Sequence, residues 1–213
     1  MRSNAIWAIA AAMGLSAAAC AAEAPAPNTA PCAACHGSQG EGNPALHAPA
    51  LAGQDSNYLA RQLDNFRSGK RAYHADDKNG QTMRLAVKAL TDADAAVLVA
   101  HYSGLPSKKV AATGGAAAEL AAGKQLFDAT CSSCHGLGAQ GYRQLHVPAL
   151  RGLDGAYIRQ QLDSFAKGWR GDPDKSDQPA VWMRSIATHL SQAKELEQVL
   201  QYIARLPAQN AKK

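Results

Sequence analysis

Aromatic side chains are scarce in this chain: Phe, Trp and Tyr make up 6% of 213 residues. Each such ring buries about 150–250 Å² and small domains lean on them for core volume. Their scarcity argues against an ordinary aromatic core and asks for another bulky filler. Methionine is equally sparse, with four in all, two of them (Met1 and Met13) close to the N-terminus. Charge of one sign is lacking too. The formal net charge is +5, basic and acidic residues are interleaved, and no basic stripe marks a nucleic-acid surface. No alternating run long enough for a strand occurs. Beyond the N-terminus no apolar stretch approaches the length of a membrane span.

The N-terminus itself reads as a leader. Arg2 precedes an apolar, Ala-rich run from Ala5 to Ala19, and small residues follow in "SAAACAAEA". This is the pattern of a secretory signal peptide over 1–22, which implies export and a periplasmic location. Five cysteines are present, an odd number. Cys20 lies in the cleavage zone and leaves with the leader if cleavage follows Ala22. The alternative is a lipid-anchored Cys20, but Ala17 stands where a lipoprotein signal has a large aliphatic residue. At most, then, the mature chain is expected to associate peripherally with a membrane.

The other four cysteines stand in two near-identical phrases, "CAACHGSQGEG" from Cys32 and "CSSCHGLGAQG" from Cys131. The repeat extends well past them. "LHAPALAGQDSNYLARQLDNFRSGKR" (Leu46 to Arg71) aligns without a gap, at an offset of 99, with "LHVPALRGLDGAYIRQQLDSFAKGWR" (Leu145 to Arg170). Both copies then reach a Met-Arg pair, Met83-Arg84 and Met183-Arg184, and end near "LP". This is a duplicated domain of about a hundred residues, too long and too few for a solenoid unit. The expected organisation is a first domain over 23–106, a linker over 107–117 marked by Gly114-Gly115, a second domain over 118–207 and a tail over 208–213.

The fold class expected is all-α. Leu196, Val199, Leu200 and Ile203 fall on one helical face, with Ser191 as N-cap. Thr91 starts the equivalent helix, with Asp94 at the capping-box position. Tyr58 to Phe66 and Tyr157 to Phe165 read as amphipathic helices.

Three chemistries use cysteines at this spacing. Structural zinc needs four ligands, and two zinc knuckles normally lie about 15–20 residues apart, whereas here almost a hundred intervene. A thioredoxin-like pair expects a βαβ setting, and this pattern is helical. The third is covalent haem attachment, for which C-x-x-C-H is the signature. Cysteines three apart on one helical turn face the same way and can clasp a porphyrin edge, while the next residue binds the iron. Two haem c groups are therefore expected, on Cys32 and Cys35 and on Cys131 and Cys134, with His36 and His135 as proximal ligands. They also supply the missing core volume.

With the leader set aside, one methionine remains per domain. Met83 and Met183 follow their histidines by 47 and 48 residues. Matching places and one residue per iron point to both as the second axial ligand. Methionine–histidine ligation raises the potential and closes both iron faces, which suits electron transfer. His74, His101 and His189 have no partner in the opposite copy and read as surface or loop residues. His47 and His146 do match, but they lie beside the proximal loop, on the wrong side for a sixth ligand.

Tandem class I c-type domains, each with CxxCH, a downstream PAL-x-G and a "YL-x-x-QL-x-x-F" helix or its near copy, resemble the dihaem cytochrome c4 family. The resemblance covers nearly all of the mature chain. It implies two domains related by a pseudo-twofold axis with their haem edges together. It implies that the carbonyls of Pro49 and Pro148 accept from the haem histidines, and that Tyr58 and Tyr157 contact the haem propionates. It implies a periplasmic, non-enzymatic carrier that passes single electrons between respiratory partners, from a quinol-oxidising complex or a dehydrogenase to a membrane oxidase. Two alternatives use the same motifs: a cytochrome subunit of a periplasmic dehydrogenase, or a dihaem enzyme with one open iron. One departure from the family stands out. The second copy has a helical lead-in, "AAGKQLFDATCSSCHG", whereas Pro25, Pro27 and Pro31 precede the first attachment site and leave room for a helical stub at most.

Overall fold

The computed structural model describes residues 26–111, 114–190 and 193–208. The leader, Cys20, the Ser191 cap and the end of the tail lie outside the described residues. Nine α-helices occur among the described residues and no strand. In the first copy these are α1 (Ala30–His36), α2 (Ser56–Ser68), α3 (Lys78–Ala86) and α4 (Asp92–Gly104). In the second they are α5 (Ala117–Thr130), α6 (Ser132–His135), α7 (Gly155–Ala166), α8 (Gln178–Ala187) and α9 (Ala193–Arg205). A one-turn 3-10 helix stands between attachment site and long helix in each copy, Pro44–Leu46 and Arg143–Leu145.

Aspartates start the helices in both copies. The Asp55 carboxylate accepts from Tyr58 N at 3.1 Å and Asp154 from Ala156 N at 2.8 Å. Asp77 accepts from Gly80 N and Asp177 from Ala180 N. Each satisfies an orphan N–H and suits the positive end of the helix. Thr91 caps α4 as its sequence suggests, accepting from Asp94 N at 3.1 Å, while its hydroxyl donates to the Asp94 carboxylate at 2.6 Å.

Each copy packs the helix that follows its 3-10 turn against its last helix. In the first, Leu59 of α2 meets Leu98, Val99 and Tyr102 of α4. In the second, Tyr157 and Ile158 of α7 meet Val199, Leu200 and Ile203 of α9, the face that the periodicity marks. Phe127 of α5 sits fully buried among them, a burial worth about 1.5–3 kcal/mol. The copies differ at their N-terminal helices. α5 is four turns long and crosses α9 so closely that a Cβ on Gly123 would sit 2.1 Å from the Gln198 carbonyl oxygen. Among the described residues the first copy has only the seven-residue α1, with Pro31 in its first turn, and α4 has no crossing partner of that kind. Pro27 and Pro31 account for the difference among the described residues, since each removes an N–H and resists a helical predecessor.

The two copies lie against each other through a polar interface. Arg143 donates to Asp55 and Ser56. Arg61 pairs with Asp177 and donates to the His146 carbonyl. The Tyr73 hydroxyl donates to Gly168 O and accepts from Asp172 N. Among the described residues no helix is long and apolar enough to cross a membrane.

The close crossing at Gly123 gives a direct test of the second domain's architecture. Gly123→Leu overpacks it and is expected to destabilise the protein by about 1–3 kcal/mol, read as a lower urea midpoint of the haem-loaded chain. An unchanged midpoint would mean that α5 does not lie on α9.

Candidate haem sites

Each site begins at the end of a short helix. His36 closes α1 and His135 closes α6, and both are buried, at 6% exposure. The chain then turns sharply: Gly42 N donates to His36 O at 2.7 Å and Gly141 N to His135 O at 2.8 Å. Those glycines are required. Both have positive φ, and a Cβ on either would sit 2.6 Å from the backbone nitrogen of Ala50 or Ala149. The turn thereby presses the attachment segment onto the proline loop.

That approach sets the imidazoles. His36 Nδ1 lies 2.8 Å from the Pro49 carbonyl oxygen and His135 Nδ1 lies 3.0 Å from that of Pro148. A carbonyl can only accept, so Nδ1 carries the proton and Nε2 keeps its lone pair. Burial pushes both imidazoles below the usual histidine range, while the carbonyl bond pulls the other way. Neutral imidazole with Nε2 free is the form a metal needs.

The four cysteines are unpaired; Cys32 and Cys131 are half-buried, and Cys35 and Cys134 exposed. Burial pushes the Cys131 thiol up to about 11, with Cys134 adding to it. Burial also raises Cys32, partly offset by the Tyr102 hydroxyl beside it. A redox-active CxxC pair needs a lowered thiol pKa, and these are raised. Among the described residues no group of three or more His, Cys, Asp or Glu is placed to hold a metal ion. A protein-only zinc site is therefore not built here, whereas one histidine per site suits an iron already held by a porphyrin.

Met83 stands on α3, partly buried against Phe66, Ala72 and Val87. Met183 stands at the matching place on α8, also partly buried. His47 and His146 are exposed at the left-handed ends of the 3-10 turns. His74 stacks on Trp169, and His189 is exposed with Nδ1 against the Ser185 carbonyl.

Tyr58 and Tyr157 meet at the domain interface, in a cluster whose other members the sequence reading passed over. Arg71 donates to Gln62 at 2.7 Å, to Gln161 at 3.0 Å and to the Tyr157 hydroxyl at 3.3 Å. Arg170 donates to Gln161 and, at 3.5 Å, to Gln62. The contacts are reciprocal, as a pseudo-twofold relation requires. Each guanidinium also lies 4.3 Å over a phenylalanine ring, Phe66 or Phe165. Both arginines are buried, and neither is within ion-pairing distance of a carboxylate among the described residues. Arg71 Nε has no hydrogen-bond partner among the described residues. Burial and the neighbouring Arg71 push Arg170 down to about 10, and burial pushes the Tyr58 phenol up, with Tyr157 adding to it. Two buried cations held by neutral groups are costly unless an anion joins them. A haem brings two propionates, so the cluster fits the group. The signal was available: Arg71 with Arg170, and Gln62 with Gln161, match at the offset of 99.

Comparison with known proteins agrees with this geometry. The cytochrome c family model matches residues 26–105 and again 120–207. A protein of Thiomonas intermedia described as a thiosulfate dehydrogenase electron acceptor is 38% identical over 189 residues, covering 85% of this chain and 81% of that one. Cytochrome c4 of Pseudomonas aeruginosa is 31% identical over 183 residues, covering 82% and 83%. The crystal structure of reduced cytochrome c4 from Pseudomonas stutzeri superposes with a TM-score of 0.67 at 29% identity, covering 84% of this chain and 95% of that one. Two tandem c-type domains define the class, a protein with two covalently attached haem c groups. Within it, the chain belongs to the cytochrome c family as a member of the dihaem cytochrome c4 type, an electron carrier.

If each CxxC pair anchors its own haem, replacing both Cys131 and Cys134 with Ala leaves one covalent haem per chain, counted by intact mass. Two remaining haems would overturn the duplicated site.

Proposed function

We propose that this chain is a periplasmic carrier with domains over 23–106 and 118–207, passing single electrons between respiratory partners through two six-coordinate irons. The observation that carries the reading is the reciprocal Arg71–Arg170 cluster, which joins two copies of one site across the interface. The haem iron, when bound, supplies the one-electron couple. The protein supplies ligation, burial and orientation. His36 and His135 offer Nε2 as proximal ligands, with Pro49 and Pro148 fixing ring and tautomer. Met83 and Met183 would each offer a thioether sulfur to the iron of their own domain and complete its ligand set. Cys32, Cys35, Cys131 and Cys134 hold the porphyrins as thioethers. Arg71 and Arg170 would neutralise the propionates, with Tyr58 and Tyr157 beside them.

The direction of flow has one support. The 38% identical relative is described as the electron acceptor of a thiosulfate dehydrogenase, which favours a dehydrogenase as donor, with a membrane oxidase downstream. Mixing the oxidised protein with a thiosulfate dehydrogenase and thiosulfate should develop the reduced c-type spectrum. No reduction would exclude that donor.

The carrier reading is tested by the reduced spectrum with and without carbon monoxide. Six-coordinate irons give a spectrum that carbon monoxide leaves unmoved, and a shift of part of the haem would point to an enzyme with one open site. Met183→Ala should open the second iron to carbon monoxide and lower its potential. An unmoved potential would remove Met183 from the ligand set.

A further inference from the structure

The two copies hold their histidines alike, but the next link in the chain of hydrogen bonds differs. The carbonyl that accepts from His135 Nδ1 belongs to the Pro148–Ala149 peptide group. The N–H of the same group donates to Gln54 Oε1, in the other domain, at 2.9 Å. Gln54 Nε2 in turn donates to the Ala149 carbonyl at 3.0 Å. Gln54 is 5% exposed, so both bonds are made away from bulk water. Its Oε1 also accepts from Asp55 N at 3.0 Å, which locks the amide's orientation.

The matching position in the second copy, 99 residues on, is Leu153. Leucine can make neither bond. It packs instead in one buried apolar cluster with Ala50, the residue equivalent to Ala149. The line from His135 therefore runs on through a peptide group to a fixed amide, whereas the line from His36 ends at Pro49.

We infer that Gln54 is a positioning residue for the second haem, acting from the first domain to hold that haem's potential below the value it would have without it. The inference rests on His135 being the iron ligand. An acceptor on a peptide N–H moves electron density onto the carbonyl oxygen of the same group. The carbonyl then draws harder on the Nδ1 proton, and the imidazole becomes a stronger donor through Nε2. A stronger donor favours the oxidised iron. Linked hydrogen bonds strengthen each other by about 10–30%, so the effect on the one-electron equilibrium is on the order of threefold.

The test is a spectroelectrochemical titration of the protein carrying both haems. The variant lacking Cys131 and Cys134 assigns the two waves, because it retains the first haem's alone. Gln54→Leu copies the native Leu153 arrangement. It should raise the second haem's wave by the equivalent of about threefold, ~30 mV at 59 mV per decade for one electron, and leave the first in place. Leu153→Gln offers the Ala50 peptide the missing acceptor and should lower the first wave instead. A role confined to holding the domains together would move both waves alike. Waves that stay in place in Gln54→Leu, or that shift equally, overturn the inference. Should Gln54→Leu fail to fold, an unmoved first wave in Leu153→Gln overturns it equally. Failure of the ligation reading looks different: in His135→Ala the second haem's spectrum and wave would both stay in place.

Discussion

A carbonyl oxygen can only accept a hydrogen bond, so the contacts from His36 to Pro49 and from His135 to Pro148 decide which imidazole nitrogen keeps its lone pair. Much of the local chain serves those two contacts. The cysteines place each histidine at the end of a helical turn, and Gly42 and Gly141 let the backbone fold back hard against the proline loop. A side chain at either glycine would push that loop away and lengthen the bond. The imidazole would then be free to turn, and a buried nitrogen would lose its partner, a cost of about 1–3 kcal/mol. One hydrogen bond thus links attachment motif, turn and proline loop into a single unit, present twice.

The interface obeys a second constraint. A guanidinium taken out of water must find compensation, and among the described side chains Arg71 and Arg170 bond only to neutral groups and rings, with the Asp77 carboxylate acting from beyond ion-pairing distance. Like charges facing each other across a symmetry axis would drive the domains apart. An arrangement of this kind is stable when anions enter it, and propionates from both sides would do so. Haem loading would then favour domain association as well, since the same charges serve both.

The sequence is most legible where spacing alone dictates geometry. CxxCH, the offset of 99 and the i, i+3, i+4, i+7 face of α9 each translate directly into structure. That the described residues of the first domain hold no counterpart to α5 was legible in Pro27 and Pro31. The proline carbonyls could be named through family resemblance, because no local pattern says where a carbonyl will point. The interface cluster was harder. Arg71, Gln62, Gln161 and Arg170 are ordinary helix-surface residues in one dimension, and only the approach of two helices from different domains makes them a site. The aspartate caps at Asp55, Asp154, Asp77 and Asp177 were legible in principle, since each precedes a helical run in both copies.

Duplication explains why both sites exist, and divergence explains why they need not be equivalent. What the copies keep are the residues proposed to hold the iron and the porphyrin: Cys32 and Cys35, His36, Pro49, Tyr58, Arg71 and Met83 each have a match in the second copy. What they change lies one step out. Gln54 is matched by Leu153 and Arg61 by Gln160, and among the described residues α5 is matched only by the short α1. Two irons with the same ligands and the same surroundings would share an electron equally, and a carrier so built would have no internal direction. Changing the ligands would separate the potentials widely but put the coordination at risk. Changing residues one step out would move them by small steps and leave the ligands themselves alone, and a difference of about threefold in equilibrium constant already biases an electron toward one end of the chain.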